Sequence, residues 1–137
     1  MLVDSNILVY SINSSSPKNK RAQKFILENI NDLEVAHQNI FESLRVLTHP
    51  KFPSPMKITS AIEAVESILK GLKIIAPSYR THHIALALIT KHKLSSDQIF
   101  DAYLAATALD NGIYKIATDN VNDFKRFTNI KLVNPFA

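Results

Sequence analysis

The stretch at residues 98–120, QIFDAYLAATALDNGIYKIATDN, constrains the fold most, because it joins two elements of different type. Its alanine-rich first half predicts a helix, since alanine has the highest helix propensity. The small side chains of this helix allow it to pack closely. Gly112 predicts the end of that helix in a left-handed turn, and residues 115–118 predict a short strand directly afterwards. A helix that returns so quickly to a strand is typical of α/β folds with parallel sheets.

Asp101 lies on the apolar face of this predicted helix. At about 100° per residue, Leu104, Ala105 and Ala108 fall within about 60° of it. A carboxylate on a buried face is costly unless a basic partner, hydrogen bonds or a cation compensates its charge. No Lys or Arg lies between Asp101 and Ile113. We therefore ask which other acidic residues the fold brings to Asp101.

Short apolar segments alternate with helical patterns along the whole chain. The segments that predict strands are residues 1–4, 33–36, 73–77, 115–118 and 130–134. Alternation of this kind predicts a parallel sheet with helices on both faces, joined by right-handed crossovers. We expect a three-layer α/β/α sandwich with four to five strands, formed by one domain over residues 1–137.

The composition excludes several classes of protein. The 137-residue chain has no cysteine, which excludes disulfides, thiolate zinc sites and thiol nucleophiles. Its two isolated glycines cannot form a phosphate-binding loop, a dinucleotide fingerprint or a nucleophile elbow. No apolar run is long enough for a membrane span, and no secretory signal is present, so we expect a cytoplasmic protein without a membrane partner. The net charge of +4 favours a polyanionic partner such as RNA without establishing one.

Three further acids are expected near Asp101. Asp4 and Asp119 end predicted strands at the same edge of the sheet, where open α/β sheets bind their ligands. Glu42 belongs to a predicted helix that begins near this edge. Four acids from distant parts of the chain would then share one pocket.

Two structural roles remain open as alternatives. Asp4 or Ser5 could simply cap the helix that follows. Glu42 stands three residues before Arg45 and could pair with it on the surface.

A cluster of carboxylates has one main chemical use. Crowded carboxylates repel one another, and a hard divalent cation such as Mg²⁺ or Mn²⁺ relieves the repulsion. Such a cation assists attack on a phosphate, so the acids and the basic exterior point to metal-dependent phosphodiester hydrolysis.

His82 and His83 are adjacent and therefore poorly spaced for a metal pair. A basic cluster in the predicted second helix could contact a phosphate backbone or form a solvated face.

Four segments of the chain resemble the PIN domain in order and spacing. They are LVDSNILVY at the start, the helix that carries Glu42, FDAYLAATALDNG around Asp101, and IATDNVNDF. The chain is most similar to VapC-type ribonuclease toxins of prokaryotic toxin–antitoxin pairs, and THPKFPSP and LVNPF fit a branch of that group. The resemblance covers essentially the whole chain.

The resemblance implies a metal site formed by Asp4, Glu42 and Asp101, with Asn6 supporting the first of them. For the fourth position the family often shows Thr, then any residue, then Asp or Asn. In this chain Thr118 begins that motif, and Asn120 occupies its last position. By its spacing from Asp101, Asp119 fits as well. We favour Asp119 as the acid and Asn120 as a weaker ligand or support.

Asp123 and four basic residues are expected to have other roles. Asp123 is expected to cap the short helix that follows the last acid. Candidate RNA-binding residues are Lys18, Arg21, Arg45 and Lys51.

The resemblance also implies an activity and partners. It implies an endoribonuclease that depends on Mg²⁺ or Mn²⁺ and leaves a 5′-phosphate and a 3′-hydroxyl. It further implies a homodimer and a small antitoxin that blocks the acidic groove with a basic side chain. The main alternative is a catalytically inactive PIN-fold module that binds RNA or protein. A phosphotransfer enzyme or receiver domain and a metal-free, histidine-based ribonuclease are the others.

Overall fold

Five short parallel strands form one sheet in the computed structural model, which describes all residues from Met1 to Ala137. The strands are β1 (Leu2–Val3), β2 (Glu34–Ala36), β3 (Lys73–Ile75), β4 (Lys115–Ala117) and β5 (Lys131–Val133). Their order across the sheet is β3-β2-β1-β4-β5, and every neighbouring pair is parallel. The structure therefore confirms the predicted α/β fold with helices around a central parallel sheet.

Seven helices connect and cover these strands. They are α1 (Ser5–Ile12), α2 (Asn19–Glu28), α3 (His37–Thr48), α4 (Ile58–Leu69), α5 (Thr81–His92), α6 (Gln98–Asp110) and α7 (Val121–Phe124), with a 3-10 turn at Ile30–Asp32. None of these helices combines the length and the apolar character needed to cross a membrane.

The central strand β1 contributes to both apolar layers because successive side chains of a strand point to opposite faces. Leu2 packs in one core cluster with residues of α6, whereas Val3 packs in another with residues of α1 and α2. Both side chains are fully buried. Burial on both faces explains why this two-residue strand is entirely apolar.

Helix α6 packs closely against the sheet because its inward face is made of small side chains. Ala102, Ala105 and Ala108 are completely buried there. The helix ends as its sequence predicts, since Gly112 adopts a left-handed backbone conformation with φ of +70°. Close packing of α6 holds its first turn, and with it Asp101, near the carboxyl ends of β1 and β4.

Candidate active site

A cavity of about 450 Å³ lies at the carboxyl edge of the sheet. Five acidic side chains line it: Asp4, Glu42, Asp97, Asp101 and Asp123. They come from the ends of strands and the early turns of helices in four separate parts of the chain. The only basic residue in the lining is Arg45. The cavity is therefore strongly acidic, although the chain as a whole carries a net positive charge.

Asp4 lies at the base of the cavity and is only 5% exposed. Its Oδ1 accepts a hydrogen bond from the backbone N–H of Ser5 at 2.8 Å, so this carboxylate also caps α1. Its Oδ2 accepts from the Thr118 hydroxyl at 2.8 Å and more weakly from Asn6 Nδ2 at 3.3 Å. The two roles considered for Asp4, helix cap and site residue, are thus compatible in one side chain.

Burial dominates the ionisation of Asp4. Removal from water raises its pKa from 3.8 to about 6, although hydrogen bonds from Thr118 and the Ser5 backbone favour the charged form. The negative charge of Glu42 raises the pKa further. Asp4 is therefore a carboxylate whose charge the protein alone compensates incompletely.

Glu42 faces the cavity and not Arg45. Its Oε2 accepts a hydrogen bond from the Ser5 hydroxyl at 3.0 Å, and its Oε1 accepts from Gln38 Nε2 at 2.8 Å. No ion pair joins Glu42 to Arg45. The surface pair considered from the sequence is therefore wrong. Ser5 connects the two carboxylates, because its backbone N–H donates to Asp4 and its hydroxyl donates to Glu42.

Asp101 is half-buried in the first turn of α6. Burial is the largest cause that raises its pKa to about 6, followed by the negative charges of Asp123, Asp4 and Glu42. Arg126 partly opposes these effects. The charge of Asp4 therefore acts on Asp101 across the cavity, which is expected of acids that share one site.

Thr118 and Asn6 organise the floor of the cavity. Thr118 is fully buried, and its Oγ1 accepts hydrogen bonds from Asn6 Nδ2 at 3.2 Å and from the backbone N–H of Asn120 at 2.9 Å. Asn6 Oδ1 in turn accepts from the Asp119 backbone at 3.3 Å. These bonds attach the end of β4 to the start of α1, and Asn120 lines the cavity beside them.

Asp119 points away from the cavity and does not line it. Its Oδ2 accepts hydrogen bonds from Tyr10 and from Lys18, which also forms an ion pair with it. Lys18 Nζ lies 5.1 Å and 5.2 Å from the ring centroids of Tyr10 and Phe136. Burial acts to raise the pKa of Asp119, but the bonds from Lys18 and Tyr10 and the Lys18 charge outweigh it and lower the pKa. The metal-ligand role favoured for Asp119 stays a prediction that this pairing disfavours.

Asp123 lies on the cavity instead of capping a helix. It is the third residue of α7, whose N-cap is Asn120, and no side chain makes a capping bond there. Its charge is the largest electrostatic contribution to the raised pKa of Asp101. The expectation that Asp123 caps the helix is therefore wrong, and Asp123 joins Asp4 and Glu42 as the third acid whose charge acts on Asp101.

The four candidate RNA-binding residues lie in different surroundings. Lys18 is paired with Asp119, and Arg21 donates weakly to the backbone carbonyls of Phe136 and Ala137. Arg45 and Lys51 are exposed and make no ion pair. Only these two are free to meet a phosphate beside the cavity.

Sequence reasoning missed the polar residues that hold the acids in place. Gln38 stands one helical turn before Glu42, a spacing that brings side chains together on a helix and could have identified it. Its Nε2 also donates to the Phe100 carbonyl at 3.0 Å. Asn39 is fully buried, and its Nδ2 lies 3.5 Å from Asp4 Oδ1. No pattern in the sequence marks Asn39, because its role depends on tertiary packing.

The chain matches the family model described as "PIN domain" over residues 1–129. Ribonuclease VapC24 of Mycobacterium tuberculosis is 25% identical over 129 residues, which cover 91% of this chain and 89% of that protein. The solved structure of VapBC2 from Rickettsia felis, bound to a DNA fragment from their promoter, aligns with a TM-score of 0.74 at 20% identity and covers 97% of this chain and 96% of that one. A toxin–antitoxin complex from Klebsiella pneumoniae aligns with a TM-score of 0.70 at 21% identity, covering 98% and 96%. These matches confirm the resemblance found in the sequence.

Proposed function

Because the chain belongs to the PIN domain family, we propose that it is an Mg²⁺- or Mn²⁺-dependent endoribonuclease and the toxin of a toxin–antitoxin pair. One observation carries the proposal: Asp4 and Asp101, from opposite ends of the chain, line one cavity and both have a pKa raised to about 6. Perturbed carboxylates that share a cleft are typical of a functional site.

The donor set of the cavity fits a hard divalent cation. All its candidate ligands are carboxylate or amide oxygens, which Mg²⁺ and Mn²⁺ prefer, and no cysteine or histidine lines it. No group of three or more acidic or histidine side chains converges closely enough to hold a metal ion without adjustment. A bound cation favours the ionised form of each acid, so carboxylates with raised pKa values are expected to move toward it.

Four of the five acidic side chains of the cavity have a defined task under this proposal. Asp4, Glu42, Asp101 and Asp123 would hold the cation, with Asn120 as a weaker oxygen donor. A bound cation supplies charge neutralisation at the phosphate and a more acidic water molecule.

Three further side chains act on the acids or on the substrate. Ser5 and Gln38 orient the two oxygens of Glu42 through their hydrogen bonds. Arg45 offers a positive charge at the rim to a substrate that five carboxylates would otherwise repel.

The names of similar proteins support RNA as the substrate and an antitoxin as a partner. The relative named Ribonuclease VapC24 supports RNA as the substrate, and the solved toxin–antitoxin complex supports an antitoxin. A basic side chain of that antitoxin would be favoured in the acidic cavity for the same reason as a cation.

A homodimer is supported by a separate apolar surface. Two neighbouring apolar grooves share Phe100 and Tyr103, and the exposed side chains of Phe41, Leu86 and Ile99 extend them. Apolar patches of this kind on a small domain commonly mark an interface. A second copy of this chain is the proposed occupant.

The test is incubation of the purified chain with a mixed RNA pool, with Mn²⁺ or with EDTA, followed by mapping of the product ends. We expect cleavage only with Mn²⁺ or Mg²⁺ and 5′-phosphate ends. Asp101→Asn should abolish cleavage while the circular dichroism spectrum stays that of a folded protein. Glu63→Gln removes an equal charge from an exposed position on α4 outside the cavity and should leave cleavage intact.

Three outcomes would contradict the proposal. Normal RNA binding without any cleavage would indicate an inactive binding module. Cleavage that persists in excess EDTA would indicate a metal-free mechanism. A folded Asp101→Asn variant that cuts at the wild-type rate would remove this acid from the reaction.

A further inference from the structure

A second, open groove continues from the acidic cavity along the loop after α3. The two share one wall, made of Arg45, Val46 and Phe52. Beyond that wall the second groove is lined by His49, Lys51 and Pro53. The acidic cavity therefore opens on one side onto a surface whose charged residues, Arg45 and Lys51, are both basic.

The loop that forms this groove is held in a defined shape. Three of the chain's six prolines lie at positions 50, 53 and 55 and restrict the backbone. The Met56 N–H donates to the Leu47 carbonyl at 2.8 Å, and the Phe52 N–H donates to the His49 carbonyl at 2.9 Å. Phe52 packs against the core cluster formed by α1, α3 and α4. The loop backbone therefore has little conformational entropy left to lose on binding.

The cations of the groove are available to a ligand. Arg45 and Lys51 are exposed, and neither forms an ion pair. His49 Nδ1 accepts a hydrogen bond from the Lys51 backbone N–H at 3.0 Å, which leaves the Nε2 of the neutral ring as an N–H donor. Three donors suited to phosphate oxygens thus follow one another along the groove.

We propose that Arg45 and Lys51 form a subsite for backbone phosphates of single-stranded RNA on one side of the bond that is cut. The inference rests on the proposed nuclease function of the cavity. It goes further by stating the path of the RNA, which runs from the cavity into the second groove. It also divides the basic residues of the chain, because Lys18 is paired with Asp119 and Arg21 lines neither the cavity nor the groove.

Electrostatics requires such a subsite. RNA carries a charge on every phosphate, and five carboxylates line the cavity in which one of them must react. A cation in the cavity offsets the charge at the reacting phosphate, but the neighbouring phosphates still approach an acidic rim. Positive side chains just outside the cavity reverse the sign of the potential where these phosphates lie.

The experiment compares two double variants of equal charge. Arg45→Gln with Lys51→Gln removes the subsite. Lys70→Gln with Lys91→Gln removes two exposed lysines at the ends of α4 and α5, which line neither groove. Binding of a fluorescent single-stranded RNA of about twelve nucleotides is measured by anisotropy in EDTA, at salt concentrations from about 50 to about 200 mM. Cleavage of the same RNA in Mn²⁺ is followed in parallel to obtain KM and kcat.

The expected result is specific in size. Each phosphate contact contributes about 0.7 to the slope of log affinity against log salt for a single strand. Loss of both contacts should therefore reduce the slope by about 1.4 and weaken binding on the order of tenfold near 0.1 M salt. KM for the RNA should rise by a similar factor, and the lysine control should change neither quantity appreciably.

The outcomes separate this inference from the function on which it rests. A wild-type protein that does not cut would refute the proposed function, while the salt slopes would still report on the subsite. A wild-type protein that cuts, together with a subsite variant that keeps the slope and KM of the lysine control, would overturn the inference alone.

Discussion

Replacing Asp4 by Asn should stabilise the metal-free protein while it destroys the proposed activity. Asp4 is almost completely buried, and its charge has no cationic partner. Asn has nearly the same shape and no charge, so it removes the cost of burying a carboxylate. A site residue that weakens the fold is expected where binding of a ligand later compensates for it.

The magnitude follows from the raised pKa. Burial raises the pKa of Asp4 from 3.8 to about 6, and one pKa unit corresponds to about 1.4 kcal/mol. Ionised Asp4 therefore lowers the free energy of unfolding at neutral pH by about 3 kcal/mol relative to a solvated aspartate. Asn also replaces the oxygen that accepts from Thr118 and Asn6 by an amide nitrogen that cannot accept, which costs about 1–2 kcal/mol. The net stabilisation expected at pH 8 is about 1–2 kcal/mol, a measurable part of the 5–15 kcal/mol typical of such proteins.

The pH dependence isolates the charge from the lost hydrogen bonds. The folded pKa of Asp4 lies above its unfolded value, so the folded chain binds more protons between about pH 4 and pH 6. Its contribution to stability is fully present below about pH 4 and is lost as the pH rises through 6. Asn does not titrate. The advantage of Asp4→Asn over the wild type should therefore grow by about 3 kcal/mol from pH 3.5 to pH 8.

Urea unfolding followed by circular dichroism, in EDTA and at several pH values, measures this difference. Asp119→Asn is the matched control, because the pKa of Asp119 is lowered by its contacts with Lys18 and Tyr10. Its effect should have the opposite sign: destabilisation that is present at pH 8 and lost as the pH falls through the pKa of Asp119. An advantage of Asp4→Asn that does not change with pH would refute the claim that burial of this charge destabilises the fold.

Three further predictions concern the metal requirement for cleavage. Asp123→Asn should raise the Mn²⁺ concentration for half-maximal cleavage more than Asp119→Asn does, because only Asp123 lines the cavity; the reverse order would restore Asp119 as the ligand. Gln38→Leu should raise the same concentration on the order of tenfold, since Glu42 loses a bond worth about 1.5 kcal/mol, whereas a glutamine outside the cavity, replaced in the same way, should have no effect. Because two cavity carboxyls have a pKa of about 6, protons compete with the cation, and the Mn²⁺ requirement should rise as the pH falls below 6. A requirement that is equal at pH 5 and pH 8 would contradict this competition.

The fold was predictable in its class but not in its strand order. All five predicted strand segments are strands, and the alternation with helices correctly predicts a parallel sheet. Each strand has only two or three residues, which is too short for a pattern that specifies its neighbour. The position of β1 between β2 and β4 depends on the packing of the whole chain, because the buried, apolar residues Ile116 and Ala117 of β4 resemble Leu2 and Val3 of β1.

The site was predictable where topology alone determines position. Asp4 follows a strand and Asp101 opens the helix that packs on that strand, so the carboxyl edge of the sheet brings them together. The hydrogen bonds that orient Glu42 were not predictable, because they depend on the rotation of α3 about its axis. A small rotation would place Glu42 beside Arg45, and only the contacts with Ser5 and Gln38 distinguish the two arrangements.

The choice between Asp119 and Asp123 shows how one buried hydroxyl decides the composition of the site. Thr118 turns inward to donate to Asp4, so the next side chain along the extended backbone points to the other side, where Lys18 and Tyr10 hold it. The chain then enters α7, and one turn of helix brings Asp123 back to the cavity. Sequence spacing from Asp101 suits Asp119, but alternation along the backbone places Asn120 at the cavity, and the turn of α7 adds Asp123. Thr118→Val keeps the shape of the side chain and removes its donor. It should raise the pKa of Asp4 further and increase the Mn²⁺ requirement, whereas Thr107→Val, with a hydroxyl that donates to the Tyr103 carbonyl within α6, should not.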